Sequence, residues 1–498
     1  MKKTILLGSI IAVFILLTNP ILTSLTPAKN TNKINQENNS IMKNLKDSES
    51  SNTINPKFKN LSYNIYAIDS SISKLNSKKE SITETHLIQG VPIIGQDSVC
   101  SCWISSHTMV LNYYGYNLSK SEIFYLMGGG FSLFYPPYRY LHPFPSVRLV
   151  YMPSNSEFIA SLLNMEYQPF HVNSTWSKEK EWETAWFCIK ENISMDQPVI
   201  IQTDASILVA DNLGIKIPIE IWKKIPIDIS HVVTIVGYNE TNQSICYNDP
   251  QYNAFGHKLK GSYIWINKEL FRISFEKFFG IYPSNWRIIT YKKPVNTSFD
   301  GEQIMERGHT RNLKKLSGDY RYYYNDTDEE NAYNFTKNLS FGINASAEIE
   351  KIFGDGLQTQ IYTLLQLKKY SKFGIKNRVV SLFEDLMKRI LDIDVSLILF
   401  FNVKGYKNSY KRIAEDKKLV SKFLMGHSNF SSKYNKCSNL LDNESKLWFK
   451  ISDYFDTFLK KGYFISIPRG LYLLNKMKLL MKEIIKIEEE ILSEQIHL

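Results

Sequence analysis

The sequence predicts an α+β domain, in which a helix packs on an antiparallel sheet, followed by an all-helical C-terminal region. Three observations predict it. Between residues 86 and 293, helix caps come first and short apolar runs bounded by turn residues come later, the α+β order. From Ile343 to Leu498 helical periodicity dominates, and Leu473, Met477, Leu480, Ile484, Ile487 and Ile491 recur at alternating steps of four and three, the stripe of a long amphipathic helix. The chain has 498 residues, 43% apolar and 22% charged: too long for one ordinary domain and apolar enough for packed cores.

In chain order, Lys2 and Lys3 precede an apolar run from Ile5 to Leu17, interrupted by Asn19 and Pro20 and resumed to Leu25. A charged start followed by an apolar run reads as an export segment over residues 1–28. A removed signal peptide and a retained anchor both stay open. Either would put the rest of the chain outside the cytoplasm, extracellular or membrane-anchored, with membrane contact only through this segment. Residues 29–85, rich in Asn, Ser, Lys and Thr, read as a disordered tether.

The expected domain spans 86–293. Cys102 to Tyr114 reads as a helix closed by Gly115. Ser119 and Glu122 form a capping box with Leu118 as its hydrophobic staple, and Ser154 and Glu157 form another before a helix through Leu163. Trp182 to Ile193 reads as helical. Strands are expected at Pro198–Gln202, His231–Tyr238, Ser244–Tyr247, Tyr263–Ile266 and Trp286–Tyr291, with a hairpin turn through 239–243. Phe131 to Tyr151 is an aromatic, Pro-rich loop that either shapes a substrate site or packs on itself. The polar, Tyr-rich stretch 294–342 reads as a linker with little structure, ahead of a helical domain at 343–498.

The formal charge of +11 is spread along the chain without a dense basic block, which argues against nucleic acid as a partner. The five cysteines lack metal-site spacing, and their odd number leaves at least one thiol unpaired in an exported chain. Gly128–Gly129–Gly130 has no phosphate-loop Lys after it and reads as a helix stop. Neither a metal nor a cofactor is expected.

The chemistry-bearing residues are Gln96, Cys102, His231 and Asp249. Cys102 opens a helix, where free N–H groups and the helix dipole favour a thiolate. Gln96, six residues upstream, can bring its side-chain amide to a developing oxyanion. His231 opens an apolar strand, and the hairpin returns Asn248-Asp249-Pro250 beside it, so that a side chain there can hold the imidazole in one tautomer. Cys100 competes as nucleophile, and Asn248 competes with Asp249 as the group that orients the ring.

These residues, with Met109-Val-Leu-Asn-Tyr-Tyr-Gly115 and Asp249-Pro250, resemble the bacteriocin-processing (double-glycine) peptidase-like family of the papain clan over roughly residues 88–292. The resemblance implies a papain-like cysteine peptidase fold with Cys102 as nucleophile, His231 as base, Asp249 as its orienter and Gln96 as oxyanion residue. The step of six from Gln96 and the step of seven to Met109 both favour Cys102 over Cys100. Trp103 departs from the family, which usually has Gly after the nucleophile. The segment Asn117-Leu-Ser, Glu122-Ile-Phe, Gly128-Gly-Gly-Phe131, Phe134-Tyr135 is also similar to the N-terminal domain of butirosin biosynthesis protein H, whose relatives transfer acyl groups to amines. The expected function is therefore hydrolysis of a peptide or amide substrate through an acyl-cysteine. The alternatives are acyl transfer through the same thioester and an inactive binding module on this fold.

Overall fold

The computed structural model describes residues 82–96, 101–135, 153–171, 177–224, 230–253, 259–277, 286–292, 300–319, 340–351, 353–354, 395–429, 431–461 and 467–493. The expected export segment, nearly all of the expected tether, Cys100 and residues 136–152 of the aromatic stretch lie outside the described residues. No helix among the described residues is long and apolar enough to cross a membrane.

The first helix, α1 (Cys102–Tyr113), ends as its sequence dictates: Gly115 adopts φ +90°, a left-handed conformation that suits glycine, just past the C-cap. The next, α2 (Lys120–Leu126), carries the full capping box: Ser119 Oγ accepts from Glu122 N at 3.1 Å, and Ser119 N donates to Glu122 Oε2 at 2.6 Å. Leu118 is buried beside Ile123 in the same core. Helix α3 (Pro153–Leu162) starts two residues earlier than expected, which places Ser154 inside its first turn and not at its cap. Proline suits that first position because its missing N–H would have no helical partner anyway. Helix α4 (Lys178–Ser194) begins a turn before Trp182, capped by Ser177.

The sheet is antiparallel throughout and has seven strands in the order β3-β8-β4-β5-β6-β7, with β1 beside β5. These are β1 (Thr85–Leu87), β3 (Glu166–His171), β4 (Val199–Asp204), β5 (Ser230–Asn239), β6 (Ser244–Asn248), β7 (Ile264–Asn267) and β8 (Trp286–Lys292). All five strands read from the sequence are present; β1 and β3 are additional. Helices α5 (Ala205–Asn212), α6 (Ile219–Trp222) and α7 (Lys268–Lys277) fill the connections. Helix α1 lies against β5, where Ser106 Oγ donates to the Val232 carbonyl at 3.3 Å. A short strand β2 (Phe134–Tyr135) leads out of α2 and pairs with β9 (Ser340–Phe341).

The stretch 294–342 corrects the expectation of a linker with little structure. Helix α8 (Gly301–Leu316) forms there, capped by Asp300. Its inner face carries Ile304, Met305, Leu313 and Leu316 into the core, with polar residues between them that are hydrogen-bonded: His309 Nδ1 meets the Tyr125 hydroxyl at 2.8 Å, Asn312 donates to the Tyr125 carbonyl at 2.8 Å, and Lys315 donates to the Met127 carbonyl at 2.8 Å. Lys315 and Arg311 both donate to Asn155 Oδ1. Buried polar groups are tolerated when bonded in this way.

Four further helices follow: α9 (Gly342–Lys351), α10 (Val395–Gly426), α11 (Ser432–Lys461) and α12 (Ile467–Ser493). The stripe on α12 is their core face. Leu473, Met477 and Ile484 pack with Ile413, Trp448 and Phe455, while Ile491 joins the core that contains Cys102 and α2. From α10, Val420 and Phe423 reach the same core, with Phe423 5.0 Å from the Tyr125 ring. Burying each such side chain stabilises the contact by about 1.5–3 kcal/mol.

At the centre of these helices Lys417 is fully buried between Glu444 at 2.7 Å and Glu488 at 3.7 Å. Burial, then the neighbouring Glu444 carboxylate, pushes Glu488 up to about 8 against the pull of Lys417. The raised value favours the protonated form of Glu488 near neutral pH. Because its folded pKa is raised, the stabilisation it gives is complete below its ordinary 4.5 and is lost as pH rises through about 8. Urea unfolding across that window is expected to show a falling midpoint for the native protein and a much flatter one for Glu488→Gln. An equal fall in the variant would remove Glu488 as the cause.

Candidate active site

Cys102 is the first residue of α1 and is 5% exposed. Ser101 does not cap this helix through its side chain, and the first turn of the helix holds no acidic residue of its own to offset the dipole's positive end. His231 enters from the start of β5, opposite Thr203 of β4, and Asp249 follows directly on β6. The antiparallel β5–β6 pairing sets Thr234 against Asn248, which brings Asp249 back toward His231.

His231 Nε2 lies 2.8 Å from Asp249 Oδ1, both groups essentially out of solvent. Cys102 also acts on the ring, favouring its charged form. Burial alone would drive the imidazole toward its neutral form. The Asp249 carboxylate, with a further contribution from Cys102, overcomes it and pushes His231 up to about 10. The ring is thus an imidazolium at neutral pH, held between a carboxylate and a sulfur.

Asn248 does not hold the ring. Its Nδ2 donates to the Val91 carbonyl at 3.3 Å, and its Oδ1 accepts from Tyr263 N at 2.8 Å. The choice between Asn248 and Asp249 as the ring's neighbour falls to Asp249 on contact. Asp249 is itself anchored: Gln251 N donates to its Oδ1 at 2.7 Å and its own N donates to the Gly261 carbonyl at 2.7 Å. Gln96 is brought to the same corner, because its backbone N donates to the Pro250 carbonyl at 2.7 Å. All four residues singled out in the sequence thus belong to one corner of the fold, where α1 meets the ends of β5 and β6.

His107, five residues along α1, faces away as expected. It bridges the Trp103 carbonyl and Ser156 Oγ at 2.9 Å each, and burial pushes it down to about 4, a neutral structural ring. Trp103 packs against that ring, with centroids 4.7 Å apart, on the core side of the helix. The other described cysteines are also free thiols, and burial pushes Cys188, Cys246 and Cys437 each up to about 12. Sequence reading missed two donors to the segment before Cys102: Ser105 Oγ and Lys120 Nζ both reach the Gly95 carbonyl, at 3.2 and 2.7 Å. No spacing rule announces them, because the contact is between a loop and two different helices. Among the described residues no cluster of His, Cys, Asp and Glu could hold a metal ion.

A helix bearing a thiol at its N-terminus, packed on an antiparallel sheet that supplies a carboxylate-bound histidine, is a papain-like fold. Residues 88–280 match the Peptidase_C39 like family, which supports a C39 peptidase-like domain for this part of the chain. No curated protein matches the chain.

Proposed function

We propose that the protein is a cysteine peptidase-like hydrolase that opens a peptide or amide bond through an acyl-Cys102 intermediate. What supports this reading is the grouping of Cys102, His231 and Asp249, with Asp249 bonded to the imidazole at 2.8 Å and Cys102 adding to the influences that favour its charged form. The Cys102 thiolate attacks the carbonyl carbon, and the carbonyl electron pair moves onto oxygen. The side-chain amide of Gln96 and the N–H groups opening α1 stabilise that oxyanion, each donor contributing about 10²–10³-fold. His231 gives its proton to the leaving nitrogen, the C–N bond breaks, and the acyl group stays on sulfur. Water then attacks the thioester, with His231 taking its proton, and the acid leaves as the thiolate–imidazolium pair is restored. Asp249 keeps the ring in place throughout.

Acyl transfer differs only in the final nucleophile, an amine in place of water. The helices α10 and α12 that share the Cys102-containing core favour keeping it as a second reading, since a helical C-terminal part also follows the corresponding domain in butirosin biosynthesis protein H. A location outside the cytoplasm, argued from Lys2, Lys3 and the run Ile5–Leu17, favours hydrolysis because acyl-carrier donors are cytosolic. The test is stopped-flow turnover of p-nitrophenyl acetate with mass spectrometry of the quenched protein. An acetyl group on Cys102 that clears in water supports hydrolysis; clearance only on adding an amine supports transfer. No acetylation at Cys102 sinks both.

A further inference from the structure

We propose that Lys120 is a positioning residue for the oxyanion side of this site, acting through the peptide bond between Gly95 and Gln96. The inference rests on the reading of Cys102 as an acylated nucleophile. A trans peptide is planar, with its carbonyl and its N–H on opposite edges. Here both edges are bound. On one, the Gly95 carbonyl accepts from Lys120 Nζ at 2.7 Å and from the buried Ser105 Oγ at 3.2 Å. On the other, Gln96 N donates to the Pro250 carbonyl at 2.7 Å. The plane therefore spans from the helices α1 and α2 to the strand end that carries Asp249, and the Gln96 side chain leaves from its edge.

The two donors to Gly95 differ in kind. Ser105 stands three residues after Cys102 on α1, so its bond ties the plane to the nucleophile's own helix. Lys120 brings a full charge, and a charge-assisted N⁺–H···O bond is shorter and roughly twice as strong as a neutral one. The ammonium also polarises the Gly95–Gln96 amide, which strengthens the N–H bond to Pro250. Lys120 occupies the first position of α2, next to the Ser119–Glu122 capping box, and that box does not use its side chain. Alanine at this position keeps the cap and suits a helix, so the substitution removes the tether and leaves the fold.

Two probes separate positioning from collapse. p-Nitrophenyl acetate acylates Cys102 through a tetrahedral oxyanion, whereas iodoacetamide alkylates the sulfur without one. Lys120→Ala is expected to slow acylation on the order of 10- to 100-fold, the effect of a small misplacement, and to leave the alkylation rate within about twofold, since the thiol and imidazole are untouched. Lys120→Arg, which keeps the charged donor, is expected to restore most of the acylation rate. On a Gln96→Ala background Lys120→Ala is expected to add nothing, because both act on one group. Unchanged acylation in Lys120→Ala, a matching loss of alkylation, or full additivity with Gln96→Ala would each overturn the assignment. If wild-type protein is acylated no faster than Cys102→Ala, the hydrolase reading itself fails, a result distinct from the other three.

Discussion

Replacing Cys102 with Ala is expected to lower ester or amide turnover on the order of a million-fold, as for other nucleophiles acting as part of a unit, while the fold is retained. Its side chain is small and buried at the end of α1, so the loss of one sulfur costs the core little. Cys100→Ala should retain most activity, because Cys102 opens α1 and stands six residues after Gln96. Turnover with p-nitrophenyl acetate, read beside the circular dichroism of each variant, checks both halves. Full activity in Cys102→Ala, or equal losses in the two variants, would contradict the assignment.

The second large effect concerns the histidine. With Asp249 replaced by Asn, the ring keeps a hydrogen-bonding neighbour but loses the carboxylate that outweighs burial. The His231 ionisation, near 10 in the native protein, is expected to fall by about 1–3 pH units. Removing the whole side chain in Asp249→Ala is expected to cost about 10²–10⁴-fold in kcat/KM, with the alkaline limb of the profile moving down by a similar interval. In stability the raised pKa means that the pair's contribution is complete below the ordinary 6.5 and fades as pH rises through about 10. NMR titration of the imidazole measures the shift directly. An unchanged midpoint in Asp249→Asn would show that the carboxylate is not what holds the charge.

What the sequence made legible follows from how local each signal is. The capping box at Ser119 and Glu122 and the glycine stop at Gly115 are written within a few residues and were found where expected. The central strands β4, β5 and β6 are buried on both faces and read as short apolar runs. The outer strand β3 was hidden: its sequence Glu-Tyr-Gln-Pro-Phe-His holds a proline and polar residues, which a central strand resists but an edge strand tolerates. Helix α8 was hidden for a different reason. Its buried face mixes Ile304, Met305, Leu313 and Leu316 with His309, Arg311, Asn312 and Lys315, so polar residues that hydrogen-bond to α2 and Asn155 dilute the apolar stripe. In the candidate site, the row of Cys102, His231 and Asp249 was legible because each stands at the end of an element. Between Asn248 and Asp249 only the geometry decides, since neighbours on a strand end point opposite ways.

The central claim is that Cys102 is the activated thiol of the chain. Iodoacetamide labelling of the full-length protein near pH 6, with each cysteine quantified by peptide mass spectrometry, tests it most directly. Cys188, Cys246 and Cys437, raised by burial to about 12, should stay unlabelled, and label should gather on Cys102, whose partner His231 is still an imidazolium at that pH. Preferential labelling of Cys100 or Cys188 would contradict the account.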